Sequence, residues 1–292
     1  MHDIKHISKG MVPHGFSACA GCGMELLMRK VTEVLGEDTI IIIPPGCAAS
    51  FSGFGKETAI KLPGYQGNLE NTAASCVGVR AALNAKGNTH TTVVGFAGDG
   101  GTADIGIQAL SGAFERKDKI LYICYDNEAY MNTGIQGSSS TPFLASTTTT
   151  PAGKPTGRKD LMMIAIAHDI PYAATASIYN IPDLQKKVKK AMETDGPSFL
   201  HIHTPCPTGW RYDPAKTIEL ARAAVQTGSW ILFEYENGKA TVNYKPKELI
   251  PVESYISIQG RFKGLTAEQK EELQKHTVEY YNKYIKKLEC MA

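Results

Sequence analysis

The chain has no apolar run long enough for a bilayer, no block of like charge, no leader-like start and no internal repeat. Its apolar stretches, such as Ile40 to Pro45, are far short of the ~20 residues that a spanning helix needs. Lys and Arg total 31 against 29 Asp and Glu, and the lysines at 186 to 190 read as the solvated face of a helix. Neither nucleic acid nor a membrane is expected as a partner. The first ten residues, M-H-D-I-K-H-I-S-K-G, lack an apolar h-region, so no secretory signal is expected. Nor is the composition that of a disordered or fibrous chain: 292 residues, 42% hydrophobic and 21% charged, suffice for a full core. Seven cysteines without an export signal then point to a reducing cytoplasm, and to ligands rather than disulfides.

Four of those cysteines stand in contexts that present a thiol rigidly. Cys19 and Cys22 share a tight turn, C-A-G-C; Pro44-Pro45-Gly46 delivers Cys47; Pro205 and Pro207 flank Cys206. Four such thiolates suit an iron–sulfur cluster or a tetrahedral zinc. A lone C-x-x-C also suits a redox dithiol, and an isolated cysteine packs as a small hydrophobe. The spacing of Cys47 and Cys206 matches no compact zinc finger.

A second pattern lies at Thr91 to Gly106, T-T-V-V-G-F-A-G-D-G-G-T-A-D-I-G, which reads as a buried strand, a glycine turn and a helix. Gly98, Gly100 and Gly101 let backbone N–H groups approach an anion, and the following helix offers its positive dipole end. Asp99 is a hard oxygen ligand inside that turn, suited to a diphosphate bridged by Mg²⁺. The next apolar run, Ile120 to Tyr125, ends in Asp126-Asn127-Glu128. Two parallel strands joined by a helix are therefore expected to set Asp99 and Asn127 side by side at a carboxyl edge.

The remaining periodicity gives helices at 24–36, 69–84, 161–168, 181–193, 217–227 and 266–288, with strands at 39–43, 172–176 and 198–202. A hairpin at 233–243 turns at Asn237-Gly238. The Gly, Ser and Thr stretch from Gly134 to Gly157 is too long for an ordinary connection and reads as a functional or partner-contacting loop. Strands alternating with helices predict a doubly wound, mostly parallel α/β sheet over residues 1–215, with a C-terminal extension over 216–292.

G-D-G followed 28 residues after its Asp by Asn is the thiamine diphosphate motif. With C-A-G-C-G at 19–23, D-N-E-A-Y-M-N-T-G at 126–134 and P-C-P-T-G-W at 205–210, the chain resembles the thiamine-diphosphate-binding β subunit of the 2-oxoacid:ferredoxin oxidoreductases. P-Y-A-A-T-A-S-I at 171–178 and P-V-E-S-Y-I-S-I-Q-G-R-F at 251–262 agree. The resemblance implies that Asp99, Asn127 and the Ala129 carbonyl hold Mg²⁺, that Gly98, Gly100 and Gly101 line the diphosphate turn, and that Cys19, Cys22, Cys47 and Cys206 hold a [4Fe-4S] cluster near the cofactor. Cys47 counts with both groups. Asn132, with Thr133 beside it, is the candidate polar contact to substrate; an Asn that merely shapes a loop is the alternative. Cys76 and Cys124 read as packing residues and Cys290 as idle.

The same resemblance implies decarboxylation of a small 2-oxoacid, with electrons passing through the cluster to ferredoxin and coenzyme A accepting the acyl group of pyruvate-type substrates. Only one thiamine half-site is legible. Glu70 precedes a helix and reads as an N-terminal helix carboxylate, so α and γ/δ-type partner subunits are expected to supply the pyrimidine-binding carboxylate and further clusters. The stretch from Cys47 to Glu70, and Met24 where an acidic residue often follows C-x-G-C-G, depart from the pyruvate pattern and leave branched-chain 2-oxoacids and oxalate open. Lys56 is a candidate for receiving an extra negative charge, against an exposed surface lysine. Other readings are an oxalate oxidoreductase β subunit that works without coenzyme A, a non-catalytic iron–sulfur subunit, and a carboligase resembling acetolactate synthase.

Overall fold

The computed structural model describes residues 10–12, 17–52 and 59–292; Lys56 lies outside them. After helix α1 (Gly23–Leu35) come β1 (Thr39–Ile43), β2 (Gly64–Gln66), α2 (Thr72–Ala85), β3 (Thr92–Gly98), α3 (Ile107–Glu115) and β4 (Leu121–Asp126). The second half supplies α4 (Leu161–Ala167), β5 (Tyr172–Ser177), α5 (Ile181–Glu193), β6 (Ser198–His203), α6 (Thr217–Gln226), β7 (Leu232–Glu236), β8 (Lys239–Tyr244) and α7 (Ala267–Glu289). The eight strands form one sheet in the order β2-β1-β3-β4-β6-β5-β7-β8. All pairs are parallel except β5–β7 and β7–β8. The fold is thus doubly wound α/β, and the C-terminal segment lengthens the same sheet with an antiparallel hairpin.

The central strands are apolar on both faces because helices cover both, and the two-residue period sorts their side chains. Ile41, Ile43, Val94, Phe96, Leu121 and Ile123 pack with Leu27, Met28 and Val31 of α1 and Leu184 and Val188 of α5. Their alternates Ile42, Val93, Ala97, Tyr122 and Cys124 pack with Cys76 of α2, Phe114 of α3, Met162 of α4 and Tyr284 of α7. Cys76 and Cys124 are fully buried there, whereas Cys290 is exposed. Met24 is buried on α1. A third cluster joins Leu144 of the 134–157 loop, Trp210, and Tyr255 and Phe262 of the tail.

Four local expectations need correction. The segment after β3 is no separate glycine turn: Asp99 is already helical, and Gly100–Asp104 make a widened π-helical turn that runs toward α3. Helix α2 starts at Thr72, not Leu69, because the Asn71 side chain accepts from the Asn68 N–H at 3.1 Å and closes a turn ahead of it. The edge strand β2 was invisible because all three of its residues are exposed and carry no apolar alternation. Lys187 is not solvated; its Nζ donates to the Thr175 carbonyl at 2.9 Å and to Asp183 at 2.7 Å. Among the described residues no helix is long and apolar enough to cross a membrane.

Candidate functional site

Strands β1, β3, β4 and β6 are consecutive neighbours and parallel, so their carboxyl ends share one edge, where open α/β sheets bind ligands. Each end delivers part of a site: Cys47 after β1, Asp99 after β3, Asn127 to Ala129 after β4, and Cys206 after β6. A cavity of about 270 Å³ opens among Cys47, Gly98 to Gly101, Tyr125, Asn127 and Ala129 to Thr133.

At its floor three oxygen-bearing groups converge. The Asn127 backbone N–H donates to Asp99 Oδ1 at 3.3 Å. One arm of the Asn127 amide lies 2.9 Å from the Ala129 carbonyl oxygen and 3.1 Å from Asp99 Oδ1, and as an oxygen it faces only acceptors. Either the amide turns over and its NH₂ donates to both, or a cation sits among the three. The separations are those of ordinary N–H···O hydrogen bonds, and they equal the spacing of about 3.0 Å that Mg–O bonds of about 2.1 Å set between adjacent octahedral ligands. Asp99 is 1% exposed, and burial, with the Asp126 carboxylate nearby, pushes its pKa well up. A cation there offsets that cost. Its other oxygen accepts from Ser138 Oγ at 2.5 Å.

Gly98, Gly100 and Gly101 line the cavity beside Asp99. A Cβ on Gly100 would fall 2.4 Å from the Tyr130 ring, and Tyr130 Oη donates to the Gly100 carbonyl at 3.1 Å. The residues present therefore fit Mg²⁺ and a diphosphate.

The four cysteines come from distant segments held at the same edge. Cys22 caps α1, and its N–H donates to the Cys19 carbonyl at 3.1 Å; the Gly23 N–H donates to the Pro205 carbonyl at 3.3 Å, tying this turn to the Cys206 loop. Cys206 caps a short helix, Pro207–Trp210, its sulfur accepting from the Gly209 N–H at 3.3 Å. Burial and then the neighbouring Cys206, Cys22 and Cys19 push the Cys47 thiol up to about 12. Burial likewise raises Cys206 to about 11 and raises Cys22. Such thiols are poor free nucleophiles, and a coordinated metal deprotonates them outright. Among the described residues no three His, Cys, Asp or Glu side chains converge on a single ion.

Asn132 lines the cavity, and its Oδ1 accepts from the Cys47 thiol at 2.9 Å. Thr133 lines the rim, but its hydroxyl donates to Gln136 Oε1 at 2.6 Å. Glu70 is exposed ahead of α2 and does not line the cavity. The 134–157 loop packs against the site, sending Ser138 to Asp99 and Thr141 to the Glu128 carbonyl at 2.6 Å.

Several site residues escaped sequence reasoning. Asp126 pairs with His201 Nε2 at 2.7 Å, and Glu128, wholly buried, meets Arg158 and Arg261. The available signal was a run of three polar residues, Asp126-Asn127-Glu128, closing a buried strand, of which the candidate cation site uses only Asn127.

A family model for the thiamine pyrophosphate enzyme C-terminal, TPP-binding domain matches residues 43–202. The pyruvate synthase subunit PorB of Methanothermobacter thermautotrophicus is 52% identical over 267 residues, 90% of this chain and 93% of that one. The ketoisovalerate oxidoreductase subunit VorB of Pyrococcus abyssi is 49% identical over 286 residues, 94% and 92% of the two chains. A solved 2-oxoglutarate:ferredoxin oxidoreductase from Magnetococcus marinus superposes with a TM-score of 0.59 at 19% identity, over 76% of this chain and 82% of that one; at that identity it speaks for the fold.

Proposed function

The chain belongs to the thiamine pyrophosphate enzymes, among the 2-oxoacid:ferredoxin oxidoreductase β subunits that include PorB and VorB, and on that premise we propose that it oxidatively decarboxylates a small monocarboxylic 2-oxoacid. Thiamine diphosphate, when bound, supplies the electron sink that makes loss of CO₂ feasible. The observation that carries this reading is the convergence of Asp99, the Asn127 amide and the Ala129 carbonyl at 2.9 to 3.1 Å.

Asp99, Asn127 and Ala129 would hold Mg²⁺, and Gly98, Gly100 and Gly101 would cradle the diphosphate it bridges. Cys19, Cys22, Cys47 and Cys206 would bind a [4Fe-4S] cluster. Cys47 belongs to both the cavity wall and the cysteine set, so electrons leaving the reacting centre would travel only a short distance. Asn132, against Cys47, is placed to donate or accept at the substrate's polar atoms and so to orient it. Tyr125 and Tyr130 wall the cavity.

The substrate reading rests on the relatives, named as a pyruvate synthase subunit and a ketoisovalerate oxidoreductase subunit, which favour pyruvate or a branched-chain 2-oxoacid over oxalate. Partner subunits of α and γ/δ type would supply the pyrimidine-binding carboxylate and onward clusters, ferredoxin would accept the electrons, and coenzyme A the acyl group.

The test is turnover of pyruvate, 2-oxoisovalerate and oxalate with a low-potential acceptor, by the chain alone and in its complex, with iron analysis of single Cys→Ala variants. Turnover of a monocarboxylate confined to the complex, with iron lost in Cys206→Ala but kept in Cys76→Ala, is the expected result. Robust turnover by the chain alone, a preference for oxalate, or full iron in Cys206→Ala overturns the corresponding part.

A further inference from the structure

Between Asn127 and Ala129 stands a residue that no cation ligation explains. Glu128 is 0% exposed and takes a left-handed backbone, φ 68°, a conformation costly for a residue with a Cβ. That turn sends its side chain away from the cavity while its neighbours face it.

The side chain ends in an ionic pedestal assembled from three distant parts of the chain. Arg158, at the end of the long loop, pairs with Oε1, and His203 Nε2 of β6 lies 3.7 Å from the same oxygen. Arg261, in the Q-G-R-F run of the tail, brings Nη2 to 2.5 Å from Oε2, off the hydrogen-bonding direction. Backbone groups are fixed as well: the Glu128 N–H donates to Asp126 Oδ1 at 2.9 Å and its carbonyl accepts from Thr141. Trp210 Nε1 donates to the Asn127 carbonyl at 2.8 Å, and the Arg261 guanidinium lies 3.7 Å over the Trp210 ring. Arg261 therefore touches both the Glu128 side chain and the indole that holds Asn127.

Burial alone would raise the Glu128 pKa, yet Arg158 and Arg261 overcome it and hold the carboxyl below the ordinary range. The pair is complete without any ligand. Breaking it frees the left-handed residue to relax, and relaxation moves the amide of Asn127 and the carbonyl of Ala129, which flank it directly.

The geometry points to Glu128 and Arg261 as positioning residues for the cation site: the pedestal locks the strained turn that aims Asn127 and Ala129 at Mg²⁺. This inference rests on the magnesium and thiamine diphosphate reading above, and it gives the tail segment 251–262 a task at the cofactor.

The experiment measures Mg²⁺-dependent thiamine diphosphate binding by calorimetry in the native complex, for the wild type, Glu128→Gln and Arg261→Lys. Glu128→Gln keeps the shape of the side chain but removes the counter-charge of Arg158 and Arg261, whereas Arg261→Lys keeps the charge balance and so supplies the folded sample where Glu128→Gln or an alanine would unfold. Leu110→Ala, on α3 in a core cluster that none of the pedestal residues joins, controls for lost stability alone. Each pedestal variant is expected to raise the Mg²⁺ needed for half-maximal binding by about 10- to 100-fold, the range for groups that orient metal ligands. Leu110→Ala is expected to lower the thermal midpoint without moving that requirement. Folded pedestal variants with an unchanged Mg²⁺ requirement, or the same shift in Leu110→Ala, overturn the positioning role. Wild-type binding that is itself indifferent to Mg²⁺ overturns the cation site beneath it, and the inference with it.

Discussion

Asp99 and Glu128 are both buried carboxylates after neighbouring strands, and they are electrostatic opposites. Around Asp99 stand a hydroxyl, a backbone N–H, two oxygens of Asn127 and Ala129, and a second carboxylate, Asp126. Around Glu128 stand two guanidinium groups and an imidazole. Burial raises the pKa of the first, while the arginines outweigh burial and lower that of the second. One site is built to receive a positive charge from outside, and the other has its own. A buried charge costs several kcal/mol unless paired, so the unpaired one marks where a ligand belongs and the paired one marks what holds the frame.

The largest effect that sharpens this contrast is on stability. Glu128→Ala leaves Arg158 and Arg261 buried without a counter-charge and is expected to cost about 3–5 kcal/mol in denaturant unfolding. Asp99→Asn, in contrast, removes an uncompensated carboxylate and is expected to leave the cofactor-free chain at least as stable at neutral pH. Equal losses in the two variants would erase the distinction.

The pH dependence separates them next. A raised carboxyl pKa gives a stabilising contribution that is full below the ordinary value and is lost as pH rises through the raised one. A lowered pKa gives a contribution that is full above the ordinary value, about 4.3 for Glu, and is lost as pH falls through the lowered one. Cofactor-free wild type should therefore lose ground to Asp99→Asn as pH rises above the ordinary carboxylate range, with a slope of up to about 1.4 kcal/mol per pH unit. It should lose its advantage over Glu128→Gln only in acid. Unfolding curves across pH read both slopes; parallel slopes would contradict the assignment.

A smaller effect is expected at Ser138. Its hydroxyl donates to Asp99 Oδ2, so Ser138→Ala should weaken magnesium-dependent cofactor binding by about 1 kcal/mol, the worth of one such bond. Binding isotherms at limiting Mg²⁺ resolve that difference.

The same contrast explains what could be read from residue order. Asp99 and Asn127 were legible because both follow apolar strand runs at once, and parallel pairing then makes them neighbours. Cys47 and Cys206 were legible through their prolines, which mark the chain leaving a strand in a fixed direction. Glu128 was not, since its partners Arg158 and Arg261 arrive from a loop and the tail, and nothing local announces a left-handed residue that is neither Gly nor Asn. Ser138 was hidden inside a run of Ser and Thr that looked like solvent-facing loop, and β2 inside a stretch with no apolar period. Lys187 looked solvated because a helix period places it near the border between the polar and the buried face.

The most direct measurement is thiamine diphosphate affinity of Asp99→Ala at limiting and saturating Mg²⁺, with iron content determined on the same sample. Loss of the magnesium-dependent affinity with iron unchanged is the expected result, because in the proposed reading the carboxylate would hold the cation that meets the diphosphate, while the cysteines, not Asp99, would hold the iron. Undiminished affinity at limiting Mg²⁺ would contradict the cation site on which the whole functional reading stands.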